Sequence, residues 1–388
     1  MFAYVFCFFL GAVLGLFASE FADRWGCSQR YRSSWQKKLF IVLLSGTGAA
    51  WLYWWEVENL MIYPSSRMSS SSIVLDDPIR CFIHLILFAI LLAATLTDFY
   101  EMIIPDSIAV TGTLVALLAA FLFPSGVLLE PWFWNEEYNR TFASAIHVWS
   151  PNQIICPNPF GFFSSFEFFL LLMMTLLWWF WCFAMLDRVW YTKLPFRKAN
   201  AIFWRYLYRS RRTKYIIAAA LLVPVGFLFV TIESTTNFPV IRVATEQIAL
   251  FSALVGMATG MVLIWSVRLV SRWVLGVEAM GFGDVTLMGM IGAFLGWQAV
   301  LVVFFAAPFF GLVYGIVNVA LGKGRAVPYG PFLCLATVFV VIFWRYVWEA
   351  TAEYFAFGIG TIGLFLLVML VLFGGLLHVV HKIMSRLR

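Results

Sequence analysis

The sequence has few charged residues, and it lacks the cysteine and histidine patterns of common metal and disulfide sites. Charged residues make up 12% of its 388 residues and hydrophobic residues 63%, whereas a soluble domain has about 25% charged residues. Its six cysteines include no Cys-x-x-Cys pair and its four histidines no His-Glu-x-x-His motif, which leaves a zinc protease or a tetrathiolate zinc site without support. The composition therefore excludes a soluble globular protein and predicts a polytopic membrane protein.

Eleven apolar segments approach or exceed the roughly 20 residues that a helix needs to cross a bilayer. They lie near residues 2–22, 39–62, 81–97, 108–123, 165–186, 215–232, 247–270, 285–303, 304–320, 332–349 and 358–380. The first has no basic segment before a long apolar run, so we expect a retained anchor and not a cleaved signal peptide. The predicted fold is all-α, a transmembrane helical bundle of about eleven spans.

Lysine and arginine residues set the predicted orientation, because short cytoplasmic loops are enriched in them. With the N-terminus outside, 21 of the 26 basic residues fall in cytoplasmic segments. The largest group, between Arg188 and Lys214, interleaves aromatic residues with its charges, as a helix on the membrane surface does. We predict an N-out, C-in topology, with anionic lipid and not nucleic acid as the partner of this loop.

These features divide the chain into four predicted parts. Residues 1–80 hold the first spans and a short basic loop, and residues 81–123 hold a pair of spans. Residues 124–246 contain a long external loop, two spans and the large basic loop, and residues 247–388 contain the remaining spans.

Asp284 stands at the head of an apolar run, where a carboxylate is costly to place and marks a candidate functional site. Gly281 and Gly283 precede it, and without a Cβ they let another chain approach closely. The alternative is that Asp284 only caps the following helix by accepting hydrogen bonds from free N–H groups. Further along, small residues at a spacing of four predict close helix packing: Gly289 with Ala293, and Gly292 with Gly296.

Asp98 ends the third predicted span on the same side of the membrane, 186 positions before Asp284. Two carboxylates at one depth on separate helices can work as an aspartic protease does. One, ionised, takes a proton from water, and the other, protonated, donates to the carbonyl oxygen or the leaving amine. Close together they share a proton and titrate as a coupled pair. The alternative is that Asp98 is an interfacial carboxylate solvated by headgroup water.

Four blocks of the sequence resemble the type IV prepilin leader peptidases, membrane aspartic proteases of the GxGD class. Gly281-Phe282-Gly283-Asp284 resembles the second catalytic block of that family, and Asp98 followed by Ile104-Pro105-Asp106 resembles its first. Val-Pro-Tyr-Gly-Pro-Phe-Leu at 327–333 is similar to its Ile-Pro-Phe-Gly-Pro-Phe-Leu segment, and residues 14–19 weakly echo its N-terminal block. The blocks occur in the order of the family and cover about half of the chain.

The resemblance implies that Asp98 and Asp284 are the catalytic pair of an endopeptidase in the bacterial inner membrane. Its substrates would be precursors of type IV pilins or of type II secretion pseudopilins, cut on the cytoplasmic side. The other matched positions would shape the site or bind substrate: Gly281, Gly283, Asp106, Pro328, Gly330 and Pro331. Asp106 could instead cap the next span, since it follows Pro105.

Departures from the family pattern argue against a second activity. Many family members also methylate the new N-terminus with S-adenosylmethionine and carry two Cys-x-x-Cys pairs in the first cytoplasmic loop. Here that loop is short and contains only Cys27, and Ser19 stands where the family has asparagine. The sequence therefore predicts no metal and no cofactor, and segment 124–246 looks like an insertion.

Two other functions stay open from the residues alone. A GxGD protease could cut other membrane substrates such as signal peptides, although the Pro-Ala-Leu signature of the presenilin class is absent from the late segment. A transporter could use both aspartates as proton-relay groups, but the sequence has no internal repeat of the kind that transporters commonly show.

Overall fold

The structure is a computed structural model. Helices make up nearly all of the residues that it describes. The description covers residues 2–25, 34–59, 77–123, 147–148, 154–155, 166–186, 198, 200, 205, 209–237, 241–276, 280–322, 328–356 and 359–387. Within these ranges the strands are an antiparallel pair of two residues each, β1 (His147–Val148) and β2 (Ile154–Ile155). The all-α prediction is confirmed.

The first half of the chain contains α1 to α4, and the second half α5 to α12. Their bounds are α1 Phe2–Trp25, α2 Trp35–Tyr53, α3 Asp77–Glu101, α4 Asp106–Leu122, α5 Phe166–Met185, α6 Arg211–Asn237, α7 Ile241–Leu275, α8 Phe282–Leu295, α9 Trp297–Ala320, α10 Gly330–Ile342, α11 Trp344–Ala356 and α12 Ile359–Leu387. A short π-helical turn, Trp54–Glu58, extends α2.

Five of the described helices are long and apolar enough to span a membrane, or six if the bent pair α10–α11 forms one span. The five segments are Phe2–Arg24, Pro78–Glu101, Ala249–Leu275, Trp297–Ala320 and Gly360–Val379. Helices α4 and α8 are apolar but shorter than the roughly 20 residues of a full span. The count of about eleven spans and the N-out, C-in orientation are therefore not confirmed and stay predictions.

Two predicted segments are divided differently in the structure. The predicted boundary between 285–303 and 304–320 is wrong, because the helix breaks at Gly296, whose φ of 84° ends α8 and leads into α9. The predicted single span 332–349 is two helices, α10 and α11, that meet at 87°. Both breaks lie within segments whose average hydrophobicity predicts one continuous helix.

The described chain forms two compact units. The larger one comprises Met1–Pro157 and Ile248–Arg388, and the smaller one Asn158–Gln247. In the larger unit α1 packs on α2 and α3, α8 packs on α4, and α10 contacts α3, α8 and α9. Helix α10 thus lies between the helix that carries Asp98 and the helix that carries Asp284.

The smaller unit is held together by the packing of α5 on α6. The indole N–H groups of Trp178 and Trp179 donate to the backbone carbonyls of Ala219 and Ala220, at 3.1 and 2.9 Å. The range of this unit overlaps the predicted insertion 124–246. The predicted domain boundaries stay predictions, and most of the Arg188–Lys214 loop and of the external loop lies outside the described residues.

A buried pair of ionisable residues joins the π-helical turn to α3. Nδ1 of His84 lies 2.7 Å from Oε1 of Glu56, and the two residues are 0% and 3% exposed. His84 is 14 residues before Asp98 on the same helix, about 21 Å along its axis. The pair therefore fixes the end of α3 that is remote from the two aspartates.

Replacing Glu56 by Ala is expected to destabilise the protein by about 3–5 kcal/mol, because His84 would remain buried without its partner. Unfolding in mixed micelles, followed by tryptophan fluorescence, measures this loss. The double variant Glu56→Leu/His84→Phe is the control, and it should recover most of the stability because both buried polar groups are removed together. Unchanged stability of Glu56→Ala would show that the pair does not hold α3.

Candidate functional site

Asp284 lies in the first turn of α8 and is 8% exposed. Gly281 is the N-cap residue, and its backbone N–H donates to Oδ2 of Asp284 at 3.1 Å. Asp284 therefore does hold the start of the helix, as the capping interpretation expects. A carboxylate has about four acceptor positions on two oxygens, so this single bond leaves it capacity for other chemistry. Capping and a functional role are compatible here.

Asp98 lies in the last turn of α3 and is 4% exposed. It is not the solvated interfacial carboxylate of the alternative interpretation. The backbone N–H of Gly330, at the start of α10, hydrogen-bonds its carboxylate. A Cβ at position 330 would lie 2.5 Å from Oδ2 of Asp98, so only glycine lets the carboxylate lie this close to the backbone.

The two aspartates lie in one site. Their carboxylates interact electrostatically with each other. Both also interact electrostatically with the thiol of Cys334, which lies one helical turn after Gly330 on α10. Helix α10 makes this possible because it packs on both α3 and α8. We call Asp98 and Asp284 the carboxylate pair. The structure thus brings together the two residues that the sequence selected from segments 186 positions apart.

Ile104 contacts α8 and α10 beside the carboxylate pair. It lies in the turn between α3 and α4, is 6% exposed, and follows Met102, whose φ of 53° reverses the chain. A Cβ at Gly283 would lie 3.0 Å from Cβ of Ile104, and one at Gly330 2.8 Å from its Cδ1. Gly283 therefore serves close packing against Ile104, and the sequence analysis did not identify Ile104 as the contact.

The remaining predicted site residues lie around the pair or at its edge. Asp106 is the first residue of α4, where a negative charge is favourable at a helix N-terminus, and Pro105 is its N-cap residue. Pro331 is buried at the second position of α10, and Pro328 is half-buried in the turn before it. Gly281 is exposed, and a Cβ there would meet Asp284 only at 3.6 Å, an ordinary contact.

Two polar residues near Asp284 were not identified as site residues from the sequence. Arg268 on α7 interacts electrostatically with Asp284, and its guanidinium carbon lies 5.8 Å from the ring centre of Phe282. Tyr329 lies just before α10, and burial, followed by the charge of Asp284, raises the pKa of its phenol. Tyr329 therefore stays protonated and able to donate. No sequence signal marks either residue, because each approaches through the fold.

Glycines between α7 and α8 pack the two backbones against each other. A Cβ at Gly292 would lie 2.1 Å from the carbonyl oxygen of Gly256, and one at Gly289 2.6 Å from Cγ of Met261. This close contact is what the spacing of small residues in α8 predicts. The packing holds α8, and with it Asp284, against α7.

Replacing Gly292 by Ala is expected to destabilise the protein by about 1–3 kcal/mol, because the new methyl group forces two backbones apart. Gly315→Ala on α9 is the matched control, since a Cβ there has no neighbour within 4 Å. Thermal unfolding in detergent compares the two variants. Equal unfolding temperatures would contradict the close contact of α7 with α8.

Within the described ranges there is no group of three or more histidine, cysteine, aspartate or glutamate side chains that could hold a metal ion. Cys27 and its loop, where the family resemblance would place a metal site, lie outside these ranges. The expectation of no metal and no cofactor therefore stays a prediction.

Residues 212–316 match the model of the type IV leader peptidase family. This part of the chain is similar to the type IV leader peptidases. It contains Asp284 and the glycines around it, and it ends before Gly330. Asp98 lies outside the match, so its assignment depends on its place beside Asp284. The match also begins inside the segment that the sequence analysis treats as an insertion.

Relatives of this segment carry the name "Prepilin leader peptidase/N-methyltransferase". The one from Stutzerimonas stutzeri is 35% identical over 112 residues, 28% of this chain and 38% of the relative. The relative from Xanthomonas campestris pv. campestris is 37% identical over 95 residues, 24% of this chain and 33% of the relative. The relative from Aeromonas salmonicida is 33% identical over 92 residues, 23% of this chain and 32% of the relative. The chain thus spans about a third of the length of the curated relatives it matches. No solved structure matches the chain.

Proposed function

We propose that this protein is a membrane aspartic endopeptidase whose catalytic residues are Asp98 and Asp284. The observation that carries the proposal is that two buried carboxylates from separate helices interact in one site. The family match around Asp284 supports it independently, because the matched family consists of peptidases.

The proposed reaction is general acid–base hydrolysis of a peptide bond. The ionised carboxylate removes a proton from a water molecule, whose oxygen attacks the scissile carbonyl carbon. The protonated carboxyl group donates to the carbonyl oxygen, and the amine leaves with a proton when the tetrahedral intermediate collapses. Two negative charges in one buried site repel each other, so the pair favours the state in which the two carboxylates share one proton.

The residues around the pair have distinct proposed roles. Each carboxylate accepts one backbone N–H, Asp98 from Gly330 and Asp284 from Gly281, and Arg268 additionally favours the ionised form of Asp284. We therefore assign Asp284 as the base and Asp98 as the acid in the first step. The exposed backbone of Gly281 gives an extended substrate access, and the turn at Pro328 and Pro331 shapes the entrance with Asp106.

We infer that the substrates are prepilins or pseudopilins, in agreement with the names of the relatives. Such a precursor has a basic leader followed by an apolar helix, so its cleavage site comes to the depth of the pair at the edge of the membrane. The proposed location is the bacterial inner membrane, with the carboxylate pair on its cytoplasmic side. Anionic lipid at the Arg188–Lys214 loop remains part of the proposal.

We propose peptidase activity without methylation in the usual form of the family. The relatives are named as methyltransferases as well, but this chain matches only about a third of their length. The short first loop with its single Cys27 offers no counterpart to the Cys-x-x-Cys pairs. We assign no described residue a role in binding S-adenosylmethionine.

The profile of cleavage sites tests the substrate class. Purified protein in proteoliposomes is given a library of single-span substrates in which the residues on both sides of the cut vary. The proposal predicts cutting after glycine and before an aromatic residue, at the end of a basic leader. Cutting inside signal peptides or membrane stubs, with no requirement for that leader, would instead identify the other GxGD function.

A further inference from the structure

An apolar groove lies on the larger unit between α1, α2, α3 and α10. Its volume is about 380 Å³, and its walls are almost entirely apolar. Gly11, Gly15 and Gly48 are among its lining residues, and the first two let α1 pack closely on Ala49 and Ser45 of α2. A Cβ at Gly48 would have no neighbour within 4 Å, so this glycine faces open space.

One end of the groove lies close to Asp98, because Pro331 follows Gly330, which contacts that carboxylate. Thr95, Pro331 and Cys334 line it there, and Thr95 precedes Asp98 by one turn of α3. The side chains of Thr95 and Cys334 hydrogen-bond to each other, and both aspartates act electrostatically on Cys334. The groove therefore begins close to Asp98 and continues as an apolar channel away from it.

The length of the groove suits a helical segment. Its lining on α3 runs from Leu85 to Thr95, eleven residues or about 15 Å of helix. A second helix lying along this wall would place about ten residues in the groove. Its end would then lie at the level of Asp98.

On α3 and α4, the charges near the carboxylate end of the groove also have one sign. Residues 81–123, which form most of α3 and all of α4, contain Asp98, Glu101 and Asp106 and no lysine or arginine. A chain that is basic on one side of this point and apolar on the other complements both these acidic residues and the apolar groove.

We propose that this groove binds the apolar helix of the substrate, in the residues that directly follow the scissile bond. The inference rests on the proposed peptidase function and adds to it the surface that holds the substrate. A lipid acyl chain would need only an apolar wall, whereas the substrate helix accounts for the wall, for its end close to Asp98 and for the acidic residues of α3 and α4 together.

Filling the groove at Gly48 tests the proposal. Gly48→Leu adds an isobutyl group in open space, away from the carboxylate pair. We expect kcat/KM to fall at least about 10-fold for a substrate with its apolar helix, which is about 1.4 kcal/mol of lost binding. A short soluble peptide that contains the cleavage site but no helix should be cut at the wild-type rate. Gly315→Leu on α9, where a Cβ also has open space, is the control and should change neither rate.

Cross-linking tests binding separately from cleavage. A photoreactive benzophenone side chain is placed at position 48, or at position 315 as control, in the inactive Asp284→Asn background. Cross-links from position 48 to the substrate helix, and none from position 315, are expected even if the wild type proves inactive on that substrate. Cross-links from position 48 to phospholipid alone, or equal cleavage of the long substrate by Gly48→Leu and wild type, would overturn the proposal. Absence of cleavage by the wild type would count against the peptidase function and not against the groove.

Discussion

Asn in place of either Asp98 or Asp284 is expected to lower kcat for cleavage of a leader-bearing substrate by about 10³-fold. Asn keeps the shape of the side chain but can neither take a proton from water nor donate one as a carboxylic acid does. The double variant should be no slower than either single variant, because the two groups act as a unit and the loss of one removes the function of both. Single-turnover cleavage in proteoliposomes measures all three rates.

The control for this experiment is Glu349→Gln on α11. It makes the same carboxylate-to-amide change at a side chain that pairs with Arg345, one helical turn away. Its rate should stay within a few-fold of the wild type. Additive losses in the double variant would show that the aspartates act at separate steps, and full activity in either single variant would refute the pair.

The pH profile of the wild type also tests whether the two aspartates act as a pair. The reaction needs one carboxyl group ionised and the other protonated, so the rate should fall both when the pair gains a second proton and when it loses its only one. A bell-shaped profile of kcat/KM is therefore expected, with two apparent constants that belong to the pair and not to either residue. A rate that rises to a plateau with pH would indicate a single titrating base.

Gly330→Ala is expected to reduce kcat about 10²-fold while leaving the fold nearly as stable as the wild type. The new Cβ would lie 2.5 Å from Oδ2 of Asp98 and 2.8 Å from Cδ1 of Ile104, so both side chains must move. Each of these atoms is at the far end of a flexible side chain, and the backbone can therefore remain in place. The displaced carboxylate, however, loses its alignment with Asp284 and its hydrogen bond from Gly330.

Parallel measurements of kcat and of the unfolding temperature separate these two effects. Gly315→Ala is again the matched control, because the same change there meets no atom within 4 Å. A large loss of stability in Gly330→Ala would assign the glycine to packing alone. Wild-type kcat in this variant would show that Asp98 does not depend on its contact with α10.

Strong local signals in the sequence could predict the helical fold and mark each aspartate as a candidate, whereas the pairing of Asp98 with Asp284 was implied only by the family resemblance. Long apolar runs indicate helices in a membrane, and a carboxylate at the end of such a run is rare enough to stand out. Both aspartates carry this signal, and the structure places them together in one site.

The breaks within the apolar runs could not be predicted. Gly296 ends α8 through its positive φ, and α11 turns by 87° from α10, although both points lie within segments that are apolar enough on average to be predicted as continuous. Hydrophobicity predicts where a helix is buried but not where tertiary packing interrupts it. This is why the predicted segments 285–303 and 332–349 differ from the helices of the structure.

The partners of the carboxylates were also hidden from the sequence. Gly330 is a predicted site-shaping residue but not a predicted partner of Asp98, and Arg268 is not a predicted site residue, yet each interacts with one of the two aspartates. These contacts join positions far apart in the chain. They depend on how α3, α7, α8 and α10 pack, which no local pattern specifies.

Mass spectrometry of a candidate prepilin co-expressed with this protein tests the central claim most directly. The same precursor is produced beside the wild type and beside the Asp98→Asn and Asp284→Asn variants, at equal expression. The account predicts loss of the leader with the wild type, retention of the leader with both variants, and no added methyl group on the new N-terminus. A leader retained with a well-expressed wild type across several prepilins, or removed by either variant, would contradict it.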